Sequence, residues 1–192
     1  MPHIVLVSGS LRVGSTSDRI ATWCAEQCSA HGATTRVFTG AELDFPFYRP
    51  GLSEGHPGIR EFLRELRRSD GVVLISPTYH GSVSGLLKNA LDYVNDLAGP
   101  RIFLDGRTIG CVAIGTGTQG TVSTLGTLRT ISHALRGWPT PLGVVVTQAS
   151  PFDATGTAGD AHCRGQLLEM IAQVLSMSER QTVPVPASVG AP

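Results

Sequence analysis

The sequence has little that would suit a nucleic acid or a membrane. Its 192 residues include 15 basic and 15 acidic side chains, so the formal net charge is zero, and Lys88 is the only lysine. No basic run occurs, which argues against nucleic acid as the main partner. No apolar run approaches the roughly 20 residues that span a bilayer, which argues against a membrane helix.

The amino terminus also lacks the features of a secretory leader. Residues 1–5 lead directly into an apolar segment, with no charged start and no small-residue cleavage site. We therefore expect a cytoplasmic protein.

The four cysteines form no C-x-x-C pair. Cys24 and Cys28 share a predicted helix face with Ile20, and Cys111 lies within a predicted strand. These positions favour small buried side chains in a reducing compartment, with a redox pair or metal site as the alternative. Cys163 follows a histidine, but no second pair completes a zinc site, so no metal is expected.

Short apolar segments alternate with amphipathic ones along most of the chain. Strand-length apolar runs occupy residues 3–7, 36–38, 71–75, 108–114 and 143–146. Five strands alternating with five helices predict one parallel sheet covered on both faces. Right-handed crossovers leave two common strand orders open, 2-1-3-4-5 and the dinucleotide-binding order.

The carboxyl-terminal part is expected to end in a helix and a tail. The apolar side chains predicted to face inward on the last helix are Leu167, Leu168, Ile171, Val174 and Leu175. Residues 179–192 are rich in proline, valine and alanine without a period, which predicts a disordered tail after a single domain of residues 1–178.

The turn after the first strand is rich in hydroxyl groups. Ser10, Ser15, Thr16 and Ser17 surround Arg12 just before a predicted helix. Hydroxyls, backbone N–H groups and a helix N-terminus bind phosphate well, although the turn lacks the lysine of a P-loop. The structural alternative is a capped turn, with Ser17 or Asp18 as the N-cap.

Two further turns follow the third and fourth strands. Residues 76–85 contain Tyr79 and His80 among small residues, and residues 115–120 match G-x-G-x-x-G. The second pattern is a weak indication of a dinucleotide site, because it does not follow the first strand and no acidic residue follows about 20 residues later. A small-residue wall beside a planar ring is the better interpretation. Together with the phosphate-binding turn, these turns describe a mononucleotide site such as one for FMN.

Two stretches resemble the NADPH-dependent FMN reductase family, a flavodoxin-like group of flavin, quinone, azo-dye and chromate reductases. Residues 9–15, GSLRVGS, are similar to its G-S-x-R-x-x-S phosphate loop. Residues 77–92, PTYHGSVSGLLKNALD, are similar to its P-x-Y-N-x-S-x-P-G-x-L-K-N-A-I-D signature. The resemblance implies a flavodoxin-like α/β three-layer sandwich, with a five-stranded parallel sheet in the order 2-1-3-4-5.

The resemblance also implies a set of FMN-binding residues. Those expected at the phosphate are Ser10, Arg12, Ser15, Thr16 and Ser17. Those expected at the ring and ribityl chain are Pro77, Thr78, Tyr79, His80, Gly115, Thr116 and Gly117. Lys88, Asn89 and Asp92 are expected to cap and brace the turn. His80 stands where the family usually has Asn, and Ser84 where it usually has Pro.

The implied activity is NAD(P)H-dependent. Hydride would pass from NADPH or NADH to N5 of FMN and on to a small-molecule acceptor, with no catalytic side chain strictly required. A flavodoxin-like electron carrier and a flavin-binding module without turnover are the alternatives. Family resemblance further implies a homodimer or homotetramer, and a flavin-dependent monooxygenase is one conceivable recipient of reduced flavin. Residues 45–48 are a candidate subunit contact, or equally a lid packed on their own domain.

Overall fold

A computed structural model describes residues 1–97, 102–147 and 160–180. Five of its six strands and all of its main helices match predicted elements. The strands are β1 His3–Ser8, β2 Thr34–Phe38, β3 Gly71–Pro77, β4 Thr108–Ile114, β5 Trp138–Pro139 and β6 Val144–Val146. The helices are α1 Thr16–Ala30, α2 Pro57–Arg68, α3 Gly85–Asp92, α4 Thr118–Ala134 and α5 Ala161–Arg180.

The sheet is parallel throughout and has the order β2-β1-β3-β4-β5, with β6 also pairing with β4. This confirms the flavodoxin-like order over the dinucleotide-binding one. The predicted fifth strand is β6, one residue shorter than expected. The two-residue β5 was not predicted; it pairs with the start of β4, whereas β6 pairs with its end.

Alternating side chains of the strands fill two separate cores. In β1, Val5 and Val7 face the core beneath α2, α3 and α4, whereas Ile4 and Leu6 face the core beneath α1 and α5. All four side chains are fully buried. Burying each such side chain contributes about 1.5–3 kcal/mol, so strands covered on both faces need unbroken apolar sequence.

The cysteines lie in these cores, in agreement with the structural interpretation. Cys24, Cys28 and Cys163 lie in the α1–α5 core, and Cys111 lies in the other one. Burial raises the pKa of Cys28, Cys111 and Cys163 to about 11, so these thiols are protonated at neutral pH. Within the described residues, no cluster of His, Cys, Asp and Glu could hold a metal ion.

Several finer predictions need correction or lie outside the described residues. Leu168 was predicted to face inward, but 41% of it is exposed. Its neighbour Leu167 is the buried residue on that turn. Helix α5 continues to Arg180, two residues past the predicted domain boundary, and residues 181–192 lie outside the described range. No helix within that range is long and apolar enough to cross a bilayer.

The amino edge of the sheet is held together by polar side chains. Arg107 is only 3% exposed, and it donates to the carbonyl oxygens of Leu66 and Arg67 at 2.9 and 2.7 Å. A buried cation therefore satisfies the carboxyl end of α2, where the helix dipole is negative. Nearby, His3 Nε2 lies 3.0 Å from Glu65 Oε2, which joins the start of β1 to α2.

The Glu65 contacts predict an acid-sensitive contribution to stability. Burial opposes ionisation of Glu65, but hydrogen bonds from His3 and Arg64 outweigh it and hold the pKa of the carboxyl below its ordinary value of 4.5. A lowered folded-state pKa stabilises the protein above the ordinary pKa, and that stabilisation is lost as pH falls through the folded-state value. Glu65→Gln should therefore cost about 1–3 kcal/mol at neutral pH.

Denaturant unfolding at a series of pH values measures this effect. The difference between wild type and Glu65→Gln should shrink as pH falls below 4.5. Glu61→Gln on the same helix is the matched control, because its partner Arg36 is partly exposed and such pairs contribute less than about 1 kcal/mol. A difference that stays constant down to acid unfolding would contradict the assignment.

A second contact fixes the long connection between β2 and α2. Asn89 on α3 donates to the carbonyl oxygens of Phe45 and Pro46 at 3.1 and 3.0 Å, and its Oδ1 accepts from the Tyr48 N–H at 2.9 Å. The Phe45 ring is buried, whereas 87% of Phe47 is exposed. Residues 45–48 therefore pack on their own domain and leave one aromatic ring outside.

Replacing Asn89 should loosen this connection. Asn89→Ala removes three hydrogen bonds at partly buried groups and should destabilise the protein by about 1–3 kcal/mol. Asn89→Asp retains the acceptor for the Tyr48 N–H but loses the amide hydrogens that bind Phe45 and Pro46. We therefore expect both variants to expose Phe45. Thermal unfolding and hydrogen exchange of the Tyr48 amide test both variants. An unchanged melting temperature in both would show that the ring packing of Phe45 alone holds the segment.

Candidate functional site

The turns after β1, β3 and β4 meet at the carboxyl edge of the sheet. In the sheet register Ser8 lies opposite Ile75, and Pro77 lies opposite Ile114. The Gly9 N–H then donates to the Ile75 carbonyl at 2.8 Å, and the Thr78 N–H donates to the Ile114 carbonyl at 2.6 Å. Backbone hydrogen bonds thus fix the start of each of the first two turns to the end of the neighbouring strand.

The structure places the predicted site residues at different depths along this edge. Ser10, Ser15 and Ser17 are buried; Thr16, Pro77, Thr78 and Gly115 are half-buried; Arg12, Tyr79, His80, Thr116 and Gly117 are exposed. All of them belong to the three turns or the first turn of α1.

The hydroxyl-rich turn ends at Ser15, which is the N-cap of α1. Its Oγ accepts from the Asp18 N–H at 3.1 Å. The structural alternative had named Ser17 or Asp18 as the cap, and this was wrong, because the backbone already turns helical at Thr16. The Ser15 oxygen is used as an acceptor in this bond, so its hydroxyl hydrogen is free to be donated to an anion.

Ser10 and Arg12 present further donors in the same turn. Ser10 Oγ accepts from the Arg12 N–H at 3.3 Å, so its hydrogen is likewise free for another acceptor. The exposed Arg12 guanidinium makes no hydrogen bond or ion pair to any residue the structure describes. The turn before α1 therefore holds one exposed cation and two buried hydroxyl groups whose hydrogens are available.

Residues after β2 complete this part of the site, and the sequence interpretation missed them. A cavity of about 210 Å³ lies between the turn and the segment that follows β2. Its lining residues are Ser10, Leu11, Val13, Gly14, Asp18, Thr39, Gly40 and Ala41. A Cβ on Gly40 would lie 1.8 Å from the Ser10 carbonyl oxygen, so only glycine allows this approach. The sequence could have indicated them, because the predicted second strand ends at the same carboxyl edge of the sheet as the first.

The turn after β3 is a tight two-residue reversal. Tyr79 and Ser82 exchange two backbone hydrogen bonds of 3.0 and 3.1 Å, and the residues between them, His80 and Gly81, have φ of 52° and 79°. Positive φ at both central positions is typical of type I′ turns. Histidine at positive φ costs roughly 1–2 kcal/mol of backbone strain, whereas asparagine adopts this conformation more readily. The turn presents Tyr79 and the imidazole to solvent.

Side chains on either side of this reversal hold it in place. Ser76 Oγ accepts from the Ser84 N–H at 3.0 Å, and Ser84 Oγ accepts from the Leu87 N–H at 3.2 Å. Ser84 is therefore the N-cap of α3, which replaces the rigidity that proline would give there. Lys88 pairs with Asp92 at 2.6 Å on the exposed face of α3, so the only lysine braces this helix.

The turns after β3 and β4 are in direct contact. A Cβ on Gly115 would lie 2.5 Å from Thr121 Oγ1 and 3.1 Å from Thr78 Cβ, so glycine permits this packing. Thr78 Oγ1 is buried, and it has no hydrogen-bond partner within the described part of the chain. A buried unsatisfied hydroxyl costs about 1–3 kcal/mol. The wall between these turns therefore offers a polar atom that no described residue satisfies.

A family model for NADPH-dependent FMN reductases matches residues 2–151 of this chain. An FMN-dependent NADPH-azoreductase of Staphylococcus haemolyticus is 35% identical over 96 residues, which cover 47% of this chain and 51% of that protein. The chain thus matches about half the length of this curated relative.

Solved structures share the fold at low sequence identity. The NAD(P)H:acceptor oxidoreductase FerB of Paracoccus denitrificans has a TM-score of 0.76 and 18% identity, covering 94% of this chain and 99% of that one. An oxidoreductase of Corynebacterium diphtheriae has a TM-score of 0.70 and 19% identity, covering 94% and 98%. Together with the sheet order and the match over most of the chain, these findings show that this protein belongs to the NADPH-dependent FMN reductase family.

Proposed function

We propose that this protein is an FMN-binding oxidoreductase that takes electrons from NADPH or NADH and passes them to a small-molecule acceptor. The observation that carries the proposal is the contact of three turns at one sheet edge, with donors for a phosphate at one end and a small-residue wall at the other. Family membership supplies the cofactor class. When bound, FMN would supply the hydride chemistry.

The residues of the first turn suit the phosphate of FMN. Arg12 has no partner within the described residues, and the Ser10 and Ser15 Oγ atoms act as hydrogen-bond acceptors, so their hydroxyl hydrogens remain available. Together with the N–H groups at the start of α1, they form the kind of donor set that holds phosphates at helix N-termini. Thr16 and Ser17 extend this donor set within the first turn of α1.

The residues of the other two turns suit the ring and the ribityl chain. Pro77 and Thr78 leave β3 beside Gly115, where the missing Cβ lets Thr78 and Thr121 pack closely against the turn after β4. The Thr78 hydroxyl, which has no partner among the described residues, fits a ligand that brings a polar atom to this wall. Tyr79 and His80 border this wall from the reversal, and Thr116 and Gly117 border it from the far side. No side chain is needed as an acid or base for hydride transfer, so these groups bind and orient.

Assembly and location complete the proposal. The exposed Phe47 ring, on a segment anchored by Asn89, supports a subunit contact in a homodimer or homotetramer. A cytoplasmic location suits a donor such as NADPH. The acceptor belongs to the class of flavins, quinones or azo compounds, and a flavin-dependent monooxygenase is a candidate recipient of reduced flavin. The azoreductase relative supports the azo class.

Anaerobic spectroscopy tests the activity. Protein mixed with FMN should quench flavin fluorescence on binding, and NADPH or NADH should then bleach the visible flavin absorbance at a rate that depends on enzyme concentration. Bound flavin that neither nucleotide bleaches would instead favour an electron carrier or a binding module. Absence of both quenching and FMN-dependent NAD(P)H oxidation would contradict the proposal.

Removal of the Arg12 charge tests the phosphate assignment. Arg12→Gln should weaken FMN binding by roughly ten- to a hundredfold, the effect of losing a charged hydrogen bond, and leave riboflavin binding unchanged. Arg67→Gln is the matched control, since Arg67 is exposed near the amino edge of the sheet and carries the same charge. Equal losses for FMN and riboflavin in Arg12→Gln would show that Arg12 supports the turn and does not contact the phosphate.

A further inference from the structure

The cavity beside the hydroxyl-rich turn contains one charged side chain, and it is an acid. Eight residues line this space of about 210 Å³, and Asp18 is the only one of them with a charged side chain. Arg12, the cation of the turn, is not among the lining residues. Ser10, one of the donors proposed for phosphate, and the carboxylate of Asp18 therefore line the same small space.

Asp18 is held in place by groups at the base of the turn. Ser8 Oγ donates to Asp18 Oδ1 at 2.6 Å, and the Asp18 N–H donates to Ser15 Oγ. Asp18 forms no ion pair with any described residue. Its carboxylate also lies in the first turn of α1, where the positive end of the helix dipole stabilises an anion.

A phosphate bound at this turn would share the helix terminus with that carboxylate. Both groups are anions, and both are stabilised by the same helix terminus, so each reduces what the other gains. Two negative charges within a few ångströms of each other repel even in water. An acid at this position is therefore unfavourable for tight phosphate binding.

We propose that Asp18 determines how tightly this protein holds FMN: its carboxylate lowers the affinity for the phosphate-bearing flavin, so that FMN exchanges with solution. The inference rests on the function proposed above. It assigns to Asp18 a role in ligand specificity, because riboflavin, which lacks the phosphate, does not experience the repulsion.

Flavin titrations of Asp18→Asn test this role by fluorescence quenching. Asparagine has nearly the same size, and its Oδ1 still accepts from Ser8. FMN binding should tighten roughly three- to tenfold at low salt, as expected when the repulsion between one carboxylate and a nearby phosphate is removed in a high dielectric. Riboflavin binding should stay the same, and the gain for FMN should shrink as salt is added.

Asp105→Asn, an equal charge change at an exposed position near the amino edge, is the matched control and should alter neither affinity. Asp18→Ser provides a second uncharged variant if the first unfolds. Equal tightening for both flavins, or no change for FMN in either variant, would overturn the inference while leaving the proposed function in place. Wild-type protein that binds neither flavin would overturn both.

Discussion

Parallel pairing of β1, β3 and β4 is the constraint on which the candidate site depends. The register brings the ends of these strands to within two residues of each other, so their turns leave the sheet side by side. Two missing Cβ atoms then allow close approach: Gly40 meets the backbone of Ser10, and Gly115 meets Thr78 and Thr121. Backbone geometry thus determines where the site lies, and the hydrogen bonds between the paired strands fix the positions of its side chains.

The sheet could be predicted from the sequence because each long strand is buried on both faces. An unbroken apolar run is then required, and its limits are clear in β1, β3 and β4. The two residues of β5, Trp138 and Pro139, are too few to form any pattern. The prediction that Leu168 faces inward was wrong for a different reason. It lies 100° around the helix from the buried Leu167, at the border of the apolar stripe, where tertiary packing decides which side chain is covered.

The candidate site was only partly predictable, and the limit is topological. The hydroxyl-rich turn and the reversal at Tyr79 are local in sequence, so their composition identified them. Both open strand orders place β2 beside β1, but the contact of Gly40 with Ser10 joins residues that are far apart in the sequence, so no local pattern marks Thr39, Gly40 and Ala41 as part of the site. The N-cap was misplaced because several neighbouring hydroxyls can each cap a helix. Only the extended backbone of Ser15 decides among them.

The charge balance at this edge shows why net charge says little about anion binding here. The chain is neutral overall, and its single lysine is paired with Asp92 on α3. Arg36, in the middle of β2, is paired with Glu42 and Glu61. Because surface charges are screened beyond about 8–10 Å in physiological salt, an anion at the first turn responds mainly to the charges of that turn and of the start of α1, which are Arg12, Asp18 and Arg19. The arrangement of these charges, and not the overall composition, therefore decides how favourable this turn is for an anion.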